Sequence, residues 1–283
     1  GEPYTTENGA LLCADENIYD PWTINTYFTE RSNIYVCDVT EKHTEGHFTP
    51  ESGISLLPGH KQIAAMVQSS QMLFLDQLNG RMKPRVHRLE NVRFHAPGFP
   101  GDQIHVSSET SDTEALTATA FIKTNDEELS SVGTITFHPI LWEEGDERKK
   151  NIDLDIERYV EEILRQEKEH EFPTNDETLT YNDIIEAAAQ ALGGTYLVGR
   201  GEGDLLPLFE GLDQAQFAAI EVQTGETIRT HVEITESDAK SFVGNATMYK
   251  DLDQIATITG LRCSIVPKSI ITRYFRQQQK IQS

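Results

Sequence analysis

Apolar positions change their period twice along this chain, in the same order each time. Gln62–Leu75 carries no charge on any face and is Ala-rich at its start, which predicts a helix with no side for water. Alternation and β-branched residues then predict strands at Gln103–Thr110, Leu116–Thr124 and Glu128–His138. A second apolar helix is predicted around Ile184–Gln190, followed by strands at Glu226–Thr235, Ser241–Tyr249 and Gln254–Ile265. The turns between strands are polar, as in Thr124-Asn125-Asp126-Glu127 and Lys250-Asp251-Leu252-Asp253, so each series reads as an antiparallel meander.

The two series are copies. Ile63-Ala64-Ala65-Met66-Val67-Gln68 and Ile185-Glu186-Ala187-Ala188-Ala189-Gln190 lie about 122 residues apart, with Gln at the same offset and Glu186 where the first has Ala64. Phe94 and Phe217 correspond, as do Gly101 and Gly225, each in a strand, turn at Gly, strand pattern. The 283 residues therefore divide into two units, 1–145 and 146–283. Each helix is best placed inside a curved sheet, although the pattern alone equally allows a generic α+β sandwich. Leu141–Glu171 reads as an acidic, Lys-rich connection with a helical run at Ile156–Gln166, and the basic, Gln-rich tail Ser269–Ser283 is expected to fray beyond Phe275.

Charge narrows the possible partners. A net charge of −22 argues against broad nucleic-acid binding, which needs a basic surface. Arg81-Met82-Lys83-Pro84-Arg85-Val86-His87-Arg88 is a basic island in that acidic chain; the corresponding stretch Gly199-Arg200-Gly201-Glu202-Gly203-Asp204 is not basic. Cys13, Cys37 and Cys263 fit neither a disulfide framework nor a zinc spacing, so a reducing cytoplasm is expected. The nine histidines show no metal-ligand spacing. No stretch is long and apolar enough to span a membrane, and no leader pattern opens the chain. It begins Gly1-Glu2-Pro3 without Met, as a piece of a larger polypeptide would.

With the helix and the Phe/Gly block in hand, both units resemble the 3-hydroxyacyl-[acyl-carrier-protein] dehydratases. In the first unit Pro58-Gly59, Ala65-Met66-Val67-Gln68 and Phe94 through Pro100-Gly101-Asp102 carry the likeness; in the second, Ile184-Ile185-Glu186-Ala187-Ala188-Ala189-Gln190 and Gly211 through Phe217 carry it. The resemblance covers about Asn33–His138 and Asp176–Ile265. It implies a tandem (double) hot-dog, an α+β fold in which each antiparallel sheet wraps a central helix. The first unit lacks the helix acid and offers His47-Phe48, about three residues further from Pro58-Gly59 than in the family. The second has the acid and no His-Phe-Pro-Gly, and it has Tyr181 where the family starts its helix with glycine.

The implied chemistry is dehydration of a 3-hydroxyacyl thioester at one composite site. His47 would take the α-proton and Glu186 would protonate the departing hydroxyl, with a helix N-terminus polarising the thioester carbonyl. His60 is the rival base. Gly59, His60, Tyr181 and Gln190 would line the substrate. For this pair to meet, the halves must clasp face to face. The resemblance implies no cofactor of the chain's own, because the substrate rides on the phosphopantetheine of an acyl carrier protein. Arg81, Lys83, Arg85 and Arg88 would dock that acidic partner; a solvated loop balancing nearby acids is the plain alternative. A site within a multidomain synthase and a homodimer are also implied. A silent acyl-binding or partner subunit is the second reading. An acyl thioesterase, which needs the helix carboxylate and no histidine, is the third.

Overall fold

A computed structural model of the chain describes residues 4–5, 27–28, 32–39, 56–74, 78, 82–124, 129–141, 181–198, 205–218, 222, 226–267 and 269–270. His47, Arg81, the run Ile156–Gln166 and all but two residues of the tail lie outside them. After β1 (Tyr4–Thr5), β2 (Tyr27–Phe28) and β3 (Ser32–Asp38), the order helix then four strands occurs twice. The first set is α1 (Gly59–Phe74), β4 (Met82–Phe94), β5 (Gln103–Asp112), β6 (Thr117–Lys123) and β7 (Leu129–Leu141). The second is α2 (Tyr181–Leu197), β8 (Leu205–Phe217), β9 (Ile228–Ser237), β10 (Ser241–Lys250) and β11 (Asp253–Pro267).

Both helices form where the apolar, Ala-rich runs predict them. Ile63 to Val67 are each at most 1% exposed, so α1 is enclosed on all sides. Burying Ile63, Met66 and Val67 contributes roughly 1.5–3 kcal/mol each, far more than the few tenths that helix propensity supplies. α2 instead buries Ile184, Ile185, Ala188, Leu192 and Tyr196 and exposes Ala187, Gln190, Gly194 and Thr195. That corrects the expectation of two equally wrapped helices.

The described strands make one antiparallel sheet in the order β1-β2-β3-β5-β6-β7-β4-β8-β11-β10-β9. The halves meet edge to edge through β4 and β8, with Leu89 opposite Ala215 and Val92 opposite Leu212. The expected face-to-face clasp is thus replaced by one continuous sheet, because the hydrogen-bonding edges of β4 and β8 pair with each other. Gly211 allows this approach: a Cβ there would stand 2.1 Å from the Val92 carbonyl oxygen, and its φ is +142°.

Four details differ from the pattern reading. Met82–Arg88 of the basic island lies in β4 rather than a loop, with Pro84 and Val86 buried, as is Leu89 just after it. Leu116 adopts a positive φ of 48°, so β6 starts one residue later than alternation suggests. His95 lies just past β4, whereas His105 and His138 are in strands as expected. The strand β3 was not foreseen; it pairs with β5 from Ser32↔Glu109 to Asp38↔Gln103.

Polar groups inside the first half are arranged around donor shortages. Pro84 faces Pro139 across β4 and β7, so neither can donate to the ladder. Gln71 supplies the missing donor, its Nε2 bonding the Pro84 carbonyl at 3.0 Å. Ser131 Oγ donates to Gln62 Oε1, and Ser108 links Ser69 and Ser70 between β5 and α1.

Candidate functional site

Pro58-Gly59 starts α1 at one end of the β4–β8 seam. An added Cβ at Gly59 would meet Phe209 and Phe94 ring carbons, each at 2.9 Å. Glycine is therefore required for the rings to close over the helix start. Phe94 ends β4 in the first half and Phe209 sits on β8 in the second. Their rings meet edge to face with centroids 5.2 Å apart.

Beside this aromatic pair is a polar pair built the same way. His60 Nδ1, on the first turn of α1, lies 3.0 Å from Glu186 Oε2 on the second turn of α2. Their side chains are 19% and 21% exposed. Gln190 Nε2, one turn further along α2, donates to Glu186 Oε1 at 2.7 Å. The first turn of α1 has no acidic residue of its own, and the Glu186 carboxyl reaches that turn from α2. Cys263 sits opposite Phe209 in register; burial, then the charges of Glu210 and Glu186, push its thiol up to about 12. It is a protonated core residue, not a nucleophile.

The structure therefore brings together Gly59, His60, Glu186 and Gln190. Tyr181 is not with them. It starts α2, and its ring packs on Phe217 at 6.2 Å, near the other end of the seam, where Arg88 faces Gln216. That placement takes Tyr181 out of the expected substrate wall: like Gly59 it starts its helix, but at the opposite end of the seam. Arg85 and Arg88 lie on β4, and Lys83 is in the same strand. His47 and Arg81 lie outside the described residues.

Sequence reasoning missed two features. Phe209 lies within Leu205–Phe217, and only the register across the seam places its ring at Gly59. An ionic cluster also bridges the halves: Arg93 Nη2 donates to Asp213 Oδ1 at 2.5 Å, and Arg262 Nη2 donates to Oδ1 and Oδ2 at 3.1 and 2.9 Å. Arg93 Nη1 also bonds the Leu212 carbonyl at 2.6 Å. Burial would raise the Asp213 carboxyl, but its bonds to Arg262 and Arg93 outweigh that and hold it below the ordinary value. Among the described residues no helix is long and apolar enough to cross a membrane.

No family model matches the chain, and no curated protein sequence matches it. Solved structures do. The dehydratase domain from the CurF module of curacin polyketide synthase is similar with a TM-score of 0.52 at 13% identity, over 92% of this chain and 100% of that one. The CurK dehydratase, solved as a histidine-to-phenylalanine mutant described as inactive, gives 0.51 at 13% identity over 86% and 95%. An oleoyl thioesterase structure from Lactobacillus plantarum gives 0.52 at 11% identity over 83% and 96%. At these identities the likeness is one of architecture: the chain has the hot-dog fold of these domains.

Proposed function

We propose that the chain is a tandem hot-dog, with units 1–145 and 146–283, that dehydrates 3-hydroxyacyl thioesters at one site between its halves. The observation that carries this reading is the His60–Glu186 contact at 3.0 Å, an imidazole from one half and a carboxylate from the other. Dehydration needs such a pair. The imidazole removes the α-proton, the carboxylic acid protonates the β-hydroxyl, and the products are the 2-enoyl thioester and water. Substrate entering between them exchanges their mutual contact for one contact each. Gln190 orients the carboxyl by holding its other oxygen. The positive end of α1 favours negative charge developing on the thioester oxygen. The chain takes its substrate from an acidic acyl carrier protein, as one domain of a synthase, and uses no cofactor beyond the carrier's phosphopantetheine. The polyketide-synthase dehydratase domains among the solved structures support this reading.

The thioesterase structure favours a second reading, hydrolysis driven by Glu186 without the imidazole. One experiment separates the two. A 3-hydroxyacyl N-acetylcysteamine thioester is given to the wild type, Glu186→Gln, His60→Ala and His47→Ala, and both enoyl product and free thiol are followed. Dehydration is expected to fall at least about 100-fold in Glu186→Gln and in His60→Ala. Loss in His47→Ala with His60→Ala intact would move the base to His47. Free thiol released by a Glu186-dependent route, with no enoyl formed, would establish the thioesterase reading. No turnover of either kind would leave a silent acyl-binding protein.

A further inference from the structure

At the far end of the seam from His60, β4 carries Arg85, His87 and Arg88, and its neighbour β7 carries His138. Arg85 stands opposite His138 of β7 in register. His87 sits at the register shift between Val86 and Arg88, and its ring lies on the His138 ring with centroids 3.8 Å apart and planes 34° from each other. His138 is exposed and His87 half-buried. We infer that Arg85, His87, Arg88 and His138 form one pH-graded surface that binds an acidic carrier protein and takes up protons as it does so. This inference rests on the carrier-borne substrate proposed above and adds the histidines and the proton linkage to it.

The charges around the pair support that role. On β4, Arg88 Nε is 3.1 Å from Glu90 Oε2, so part of its charge is already met within the strand. From β8, Gln216 faces Arg88 and Gln214 faces Glu90. The acidic residue of that stretch, Asp213, is engaged by Arg93 and Arg262. The His87 ring is also hydrogen-bonded to the backbone at Phe217, so it touches both halves. Burial, then His138, with Arg88 adding to them, lower the affinity of His87 for a proton, and the Phe217 backbone bond partly offsets this. The free protein therefore disfavours charge on His87. An acidic partner laid over it reverses the balance, because each proton gained relieves the partner's negative charge. Linkage makes this reciprocal: carrier binding raises the proton affinity, and added protons raise the carrier affinity.

The test is titration calorimetry of the full chain with an acidic acyl carrier protein between pH 5.5 and 8. Affinity is expected to rise as pH falls, by up to about tenfold per pH unit for each proton taken up. The heat should also vary with the ionisation enthalpy of the buffer. In His87→Gln/His138→Gln the pH slope should flatten while weak binding persists. Arg85→Ala should weaken binding at every pH. A wild-type affinity independent of pH, or an unchanged slope in the double variant, would overturn the inference. So would absence of carrier binding, including the case where anionic vesicles or duplex DNA bind instead. Thermal melts of the variants show whether they are folded. Turnover of the free N-acetylcysteamine thioester by the wild type tests the dehydratase reading independently.

Discussion

The two helices share Ile, Ala and Gln at matching positions and differ in what covers them. Ala65 is 1% exposed and Gln68 4%, whereas their counterparts Ala187 and Gln190 are exposed. α1 lies against β3, β4, β5, β6, β7 and β8; α2 lies against β8, β9, β10 and β11, and the two helices touch each other. Strand β3 extends the sheet beyond β5, while among the described residues β9 pairs only with β10. The difference accounts for where the acid is found. A carboxylate at position 64, 1% exposed, would lose nearly all its hydration, a cost of several kcal/mol unless it were neutral. Glu186, with a side chain 21% exposed, keeps some water, a Gln190 donor and the facing imidazole. The less enclosed helix is the one that can carry a working carboxyl.

The largest expected effect tests whether the halves fold as one body through the seam. In Gly211→Ala the new methyl meets backbone 2.1 Å away, in a conformation that L residues avoid. We expect a loss above about 3 kcal/mol, enough to abolish a single cooperative unfolding transition. In Gly194→Ala, on the exposed side of α2, nothing lies within 4 Å, and the change should stabilise by about 0.5–1 kcal/mol. Denaturant midpoints measure both. A tolerated Gly211→Ala would mean that β4 and β8 do not pair as described.

A smaller effect sharpens the comparison of the helices themselves. Ala65→Leu inserts three carbons into an enclosed surface and should cost about 1–3 kcal/mol. Ala187→Leu, at the matching position of α2, should stay within about 0.5 kcal/mol. Equal losses would show α2 to be covered as fully as α1, which would undercut the account of Glu186.

Much of this architecture is legible in the chain, for physical reasons that differ by region. The charge-free run locates α1 because only burial tolerates it, the Ala-rich run around Glu186 locates α2, and Pro58-Gly59 marks the start of α1. Strand ends are less legible: Leu116 and Asp251 turn the chain with positive φ without being glycine. The inner and outer faces of β4 are hidden by composition, since Arg85, His87 and Arg88 make the stretch look like a loop. Its alternation shows only through Pro84, Val86 and Leu89. Glu186 stands out as an acid in an apolar helix. Its partner does not: His60 and Phe209 reach the site through the β4–β8 register, which no local pattern encodes, and motif spacing points to His47 instead.

The smallest effect concerns the ionic cluster that spans the seam. Asp213 accepts from Arg93 of the first half and Arg262 of the second, and its folded-state pKa is lowered. A depressed carboxylate contributes stability that is fully present above its unfolded pKa, near 3.9. That contribution is lost as pH falls through the folded value. With the Asp213 side chain 42% exposed, solvent screening limits it to below about 1 kcal/mol. Asp213→Asn should therefore lower the denaturant midpoint slightly at pH 7 and flatten the part of the acid limb lying below pH 4. Folding disfavours the charge on His87, so its contribution starts to be lost as pH falls below the unfolded imidazole value, about 6.5, and this loss persists in Asp213→Asn. If Asp213→Asn left the stability unchanged from pH 2 to pH 7, the two arginines would be decorating a seam held by Val92, Leu212 and the backbone ladder alone.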